Sequence, residues 1–237
     1  LDIFNDPVNF LLMSTGRLPA LIFALSFHEA AHAWMALKCG DDTAARMGRI
    51  TLNPLSHLDP IGSIGIVFGF FGWGRPVPYV ERNLRNPRRD AMLIAAAGPA
   101  SNILLALVFG ILFRIVFYFI EHSSFESEAA MRVTVFLAFL FSWCVFLNLA
   151  LCFFNLIPVF PLDGEKILVG LLPYRQAYAY ASLRQYGPMG LLLLIFMGGS
   201  LVSAFVFVMS APLCYLFTGV GMYRLLNLIG NLFSVLW

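Results

Sequence analysis

Residues 28–32 read His28, Glu29, Ala30, Ala31, His32, and they fall inside an apolar run long enough to cross a bilayer. On a helix of 3.6 residues per turn, His28 and His32 lie about 40° apart around the axis and one turn apart along it. Both imidazoles can then clamp one metal ion. Glu29 projects about 100° from His28 and about 60° from His32, where it can reach a water on the metal without being a ligand. A plainer alternative is a histidine pair satisfied by backbone carbonyls or by each other. Cost argues for the metal: a charged group at a helix centre in hydrocarbon costs about 2.5–3.5 kcal/mol, so such groups persist where something binds or neutralises them. The chain has four histidines, and two of them stand one turn apart with a carboxylate between.

A catalytic zinc takes three protein ligands and keeps one position open. The candidates for the third are Asp163, His57, Asp59 and Asp90. Asp163 is preferred, because two prolines (Pro158 and Pro161) break the preceding apolar run and Gly164 permits a tight turn behind it. Its ordinary alternative is an N-cap for a short helix over 164–172. His57 and Asp59 sit between Asn53-Pro54 and Asp59-Pro60 and are read mainly as turn stabilisers. Asn155 has two readings of equal weight, a hydrogen-bond donor to substrate or oxyanion and a polar link between helices. Gly98, Pro99, Ser101 and Asn102 are read chiefly as close packing and interhelical bonding.

The elements that must carry these residues are membrane helices. Of 237 residues 60% are hydrophobic and 12% charged, including 24 phenylalanines, with a mean hydropathy of +0.82. Soluble domains are about a quarter charged, so the chain is expected to be an all-α polytopic membrane protein, a single membrane-embedded domain over 1–237. The net charge of +2 and the lack of an extended basic run give no reason to expect a nucleic-acid partner. Cys39, Cys144, Cys152 and Cys214 are scattered without metal spacing and are read as small buried hydrophobes. No cleavable leader is evident; the chain opens on Leu1 rather than Met, so native residues can precede it.

Five spans are expected, at about 18–38, 90–120, 132–157, 188–209 and 211–223. Residues 61–71 are apolar but short and glycine-rich, and are read as re-entrant rather than as a sixth span. Residues 224–237 read as an interfacial tail. Eight Lys/Arg residues fall between Lys38 and Arg89, whereas 121–130 holds Glu121, Glu126 and Glu128 and no basic residue. The positive-inside rule then puts the first loop, and the metal motif near it, on the cytoplasmic side.

H-E-A-A-H at 28–32 together with N-L-I-P-V-F-P-L-D-G at 155–164 closely resembles the site-2 proteases, intramembrane zinc metalloproteases. A-G-P-A-S-N at 97–102, N-P-L-S-H-L-D-P at 53–60 and G-W-G-R-P-V-P at 72–78 look like the compact branch without PDZ or CBS domains. The resemblance covers roughly 18–220. It implies zinc on His28, His32 and Asp163, Glu29 as general base, and a membrane-protein substrate in a bacterial or archaeal cell membrane. It also implies that the strand-like Arg49–Leu52 stretch pairs with unwound substrate as an added strand. A metal transporter would need the ligands but no Glu29, and a catalytically dead homologue would be expected to have lost part of the set.

Overall fold

A computed structural model describes residues 7–60, 62, 65, 74–125 and 127–236. The expected re-entrant segment at 61–71 lies almost wholly outside the described residues, as does Trp237. Helix α1 spans Pro7–Cys39, followed by a single turn, α2, at Thr43–Arg46. Two long helices come next, α3 at Pro87–His122 and α4 at Glu128–Asn155. Short helices α5 (Asp163–Leu171) and α6 (Tyr174–Ala181) lead into α7 (Gly187–Thr218), and α8 (Met222–Leu236) closes the fold. Among the described residues there is no strand, and the one isolated antiparallel bridge joins Leu58 to Gly74. Ile50–Leu52 is therefore not part of a ladder in the protein alone.

Among the described residues, four helical segments are long and apolar enough to cross a membrane: Met13–Cys39, Pro87–His122, Glu128–Asn155 and Tyr174–Thr218. The expected fourth and fifth spans are one helix, because α7 continues through Pro212. In hydrocarbon every broken turn leaves polar backbone groups without water, so a proline that would end a soluble helix is accommodated. The helix stops instead at Gly219, in the left-handed conformation at φ 78°. There Arg114 of α3 donates to the carbonyls of Tyr215 and Leu216. Helix α8 packs against α4 and contributes Met222, Leu225, Ile229 and Leu232 to the core. Its apolar stripe packs on the bundle while Tyr223 on its other side is exposed, so the helix is amphipathic.

Lipid tails are as apolar as leucine, so helices in a membrane associate through close packing of small residues. Helix α1 presents Ala20, Ala24, His28, His32 and Ala36 at successive four-residue steps, all buried. Antiparallel to it, α3 presents Ile94, Gly98, Asn102, Ala106 and Gly110 at the same period, also all buried. The register pairs position 32 with 94 and 24 with 102 through hydrogen bonds. It also lays the ring of His28 on Gly98. Helix α4 completes the centre with Val145, Asn148, Leu149 and Cys152. All four cysteines are free and buried, as expected.

The C-terminus of α1, the N-terminus of α3, the C-terminus of α4 and the N-terminus of α5 meet at one end of the bundle. That end carries the candidate ligands His28, His32 and Asp163, the long connection between α1 and α3 and most of the basic residues.

Candidate metal centre

His28 Nε2 and His32 Nε2 lie 3.0 Å apart. Asp163 Oδ2 stands 3.1 Å from the first and 3.3 Å from the second. Each imidazole makes its other bond elsewhere: His28 Nδ1 to Asn102 Oδ1 at 2.6 Å, and His32 Nδ1 to the Ile94 carbonyl at 2.6 Å. Both partners are oxygens that accept, so in the neutral rings both Nδ1 atoms carry the hydrogen and both Nε2 atoms present lone pairs. The buried Asp163 Oδ2 has no hydrogen-bond partner. Three lone-pair atoms therefore converge with no hydrogen between them, an arrangement that repels itself unless a cation lies among them. Ligands at 2.0–2.1 Å around tetrahedral zinc are separated by about 3.3 Å, close to all three edges. Two imidazole nitrogens, one carboxylate oxygen and a free fourth direction suit zinc.

Local sequence explains each placement. Gly98 has no side chain because a Cβ there would stand 2.5 Å from His32 Nε2 and 2.6 Å from His28 Cε1. Pro99, one residue on, clashes in any regular helix with the carbonyl four residues back and loosens that turn, beside the Ile94 carbonyl that His32 uses. Asp163 is the first residue of α5, whose N-cap is Leu162. It follows the turn 156–162, which contains a cis Phe160–Pro161 bond. The N-cap alternative is thereby displaced. Gly164 closes this turn, since a Cβ there would meet the Leu156 carbonyl at 2.3 Å. At the far end of α5, Arg88 donates to the carbonyls of Val169 and Leu172. Buried Glu165 receives Arg184 through both carboxylate oxygens, at 2.7 and 3.3 Å.

Glu29 is buried beside this cluster, and Gly74 crosses it so closely that a Cβ would come 3.3 Å from Glu29 Oε1. The crossing segment is held by Arg49, whose guanidinium donates to the carbonyls of Arg75 and Pro76, and by the His57 carbonyl, which accepts from Arg75 N. Arg49 is buried, and its charge lies near that of Glu29. Burial lowers the Arg49 pKa from its usual value, while Glu29 opposes the shift.

The remaining candidates lie apart from the cluster. His57 is buried, with Nε2 donating to the Thr51 carbonyl at 2.7 Å. Asp59 accepts from Gly62 N at 2.9 Å. Asp90 accepts from Asn86 N at the start of α3. Asn155 donates to Leu151 O of its own helix at 2.9 Å, not across to another helix. Asn102, read from the sequence as close packing and interhelical bonding, makes such a bond to His28 itself, a partner that shows only once α1 and α3 are paired.

Next to the cluster opens an apolar groove of about 280 Å3. Phe27, Ala31 and Trp34 of α1 form one wall, Ile50 and Leu52 another, and Ser101 of α3 lies at its edge. Ala30 and Ala31, the two residues between Glu29 and His32, both line it.

No solved structure matches the chain. Curated relatives do. The Bacillus subtilis protein named "Putative zinc metalloprotease YwhC" is 42% identical over 153 residues, covering 65% of this chain and 67% of that protein. "Putative zinc metalloprotease Rip2" of Mycolicibacterium smegmatis is 30% identical over 183 residues, 75% of this chain and 64% of the relative. The Rip2 protein of Mycobacterium tuberculosis strain H37Rv is 30% identical over 178 residues, 73% and 63%. The chain thus spans about two thirds of the length of the relatives it matches. A profile of peptidase family M50 matches residues 17–198, from the middle of α1 into α7 and across every residue of the candidate centre. With this match over most of the bundle, the chain belongs to peptidase family M50, the site-2 type of zinc metalloprotease.

Proposed function

We propose that this protein is a zinc endopeptidase that hydrolyses peptide bonds in or beside the membrane-spanning segments of other proteins. The observation that carries the reading is the convergence of three unshared lone pairs, from His28 and His32 on a helix long and apolar enough to cross a membrane and from Asp163 at the start of α5, with Glu29 next to them. Zinc held by those three residues would act as a Lewis acid, polarising a carbonyl and acidifying water.

The chain's own residues do the rest. Glu29 accepts the proton of the attacking water and returns it to the leaving amine. The oxygen of a substrate carbonyl needs a donor as charge develops on it, and the Asn155 side chain, at the end of α4, is the candidate. A substrate helix hides its carbonyls in its own i to i−4 bonds, so it must open before it can react. The groove beside Ala30 and Ala31 fits an extended stretch of apolar chain, with the backbone of Ile50–Leu52 free of any ladder to receive it. Eleven of the Lys/Arg residues support a cytoplasmic position for the site: eight between Lys38 and Arg89, with Lys166, Arg175 and Arg184 at the same end.

The test compares wild type with Glu29→Gln in liposomes carrying single-span peptides, with bound zinc measured in both. Loss of cleavage by at least a hundredfold, at equal zinc, is expected. Cleavage by the variant at the wild-type rate would remove Glu29 from the mechanism. Wild type that binds no zinc would remove the metal.

A further inference from the structure

Asn102 and Asn148 are both fully buried between α1, α3 and α4. A primary amide enclosed in an apolar bundle is costly unless its groups are paired, and here each partner also has a direction. Asn148 Nδ2 donates to the Cys144 carbonyl at 2.8 Å. Its oxygen therefore faces Asn102, whose Nδ2 donates to it at 2.9 Å and to the Ala24 carbonyl at 3.2 Å. With its nitrogen committed to two acceptors, Asn102 must present its oxygen to His28 Nδ1, at 2.6 Å. The hydrogen of His28 is thereby fixed on Nδ1, and the lone pair on Nε2.

The two histidines differ in a way that gives this line of amides a purpose. His32 is oriented by a backbone carbonyl, which can only accept. His28 is oriented by an amide, which could equally turn over and offer its NH2 group. A reversed Asn102 would donate an N–H to the Nδ1 lone pair, leaving the hydrogen of His28 on Nε2, where it would block the metal. Asn148 and the Ala24 carbonyl both oppose that reversal. We propose that Asn148 and Asn102 form a directional hydrogen-bond relay, anchored on the Cys144 carbonyl, that sets the tautomer and ring orientation of His28 for metal binding. The relay rests on the reading of His28 as a metal ligand. Both asparagines are positioning residues and neither touches the metal or a substrate. Outer partners of metal-bound histidines act in this way generally, and removing one weakens metal binding about 10–100-fold.

The test reads metal, not proteolysis. Full-chain protein in detergent micelles is titrated with zinc against a chelating dye, and with cobalt(II) followed by its visible absorption. Asn102→Leu is expected to bind zinc 10–100-fold more weakly and to shift the cobalt bands. Asn148→Leu, which leaves Asn102 the single guide of Ala24, is expected to weaken binding about three- to tenfold. Asn102→Asp keeps an acceptor facing His28 and cannot reverse, so it should bind zinc at least as tightly as Asn148→Leu. Ser142→Ala, which removes a buried hydroxyl bonded only within α4 to the Ala138 carbonyl, should match wild type. Zinc affinity within twofold of wild type in both leucine variants would overturn the relay. So would an Asn102→Asp variant as weak as Asn102→Leu, since the acceptor would then be irrelevant. Should Asn102→Leu fail to fold, the order of Asn102→Asp and Asn148→Leu decides the question. Wild type without zinc would fail at the first titration, and that result overturns the ligand reading itself.

Discussion

A methyl group on residue 98 would occupy space that the two imidazole rings already fill, 2.5 Å from one ring atom and 2.6 Å from another. Because alanine is the better helix former by about 1 kcal/mol, Gly98→Ala separates the needs of the helix from those of the metal centre. Circular dichroism should show full helix content, while zinc affinity falls at least tenfold as the rings are pushed apart. A variant that binds zinc like wild type would show that the rings yield and that Gly98 serves helix packing alone. At this scale the sequence was legible where chemistry is local. His28, Glu29 and His32 sit within one turn, and Asp163 was picked out by the prolines before it. For Asn102 an interhelical bond was legible but not its partner, which is 74 positions away, because the residue type shows a need for a hydrogen bond without naming who meets it. The matching four-residue stripes of α1 and α3 carried that information jointly, although neither does alone.

Among the elements, α5 has the most exacting task, since nine residues must hold one carboxylate oxygen against two imidazoles contributed by another helix. Its own length gives little stability, as isolated helices this short are marginal. It is held instead by Arg88 at its C-terminal carbonyls and by the Glu165–Arg184 pair. Glu165 is 2% exposed and Arg184 41%, so replacing the arginine leaves a buried carboxylate alone. Arg184→Leu is expected to lose about 2–3 kcal/mol, less than for a pair buried on both sides because water reaches Arg184. Denaturation in detergent should show an earlier midpoint, and zinc affinity should fall as Asp163 loosens. An unchanged midpoint and affinity would mean that Arg88 and the turn before Asp163 suffice. The proline break before α5 could be read from the sequence, but the continuity of α7 could not. Pro212 signals an end by the rules of water, and the membrane changes those rules by withdrawing the solvent that would satisfy a broken turn.

Across the whole molecule the two ends differ in kind. One end has short connections, at 123–127 and 219–221, and Arg114 closing the carbonyls of α7. The other gathers the candidate centre, the groove and the polar connections between α1 and α3. Those connections are tied at Asp41, which is fully buried just beyond α1. It accepts from Thr43 N and Oγ1, Val80 N and Asn83 Nδ2, joining the exit of α1 to the approach to α3. Burial by itself would raise the Asp41 pKa, but the bonds from Asn83, Thr43 and Val80 outweigh it and hold the carboxyl below its usual 3.8. The sign of the linkage follows. A folded-state pKa below the unfolded one gives stability that is complete above the unfolded value and drains away as pH falls through the folded one. Wild type should therefore lose stability progressively below about pH 4, where the unfolded chain starts to take up the proton. Asp41→Asn cannot take up that proton and keeps one acceptor oxygen where there were two, so it should be less stable at pH 7 and its midpoint flatter between pH 5 and 3. Melting both proteins in detergent across that range checks the slope. Equal slopes would assign the acid loss to other carboxylates and leave Asp41 a packing residue. The expected outcome would tie the architecture of the metal-bearing end to one buried charge, set among backbone amides that the α1 exit turn and the 80–83 turn supply together.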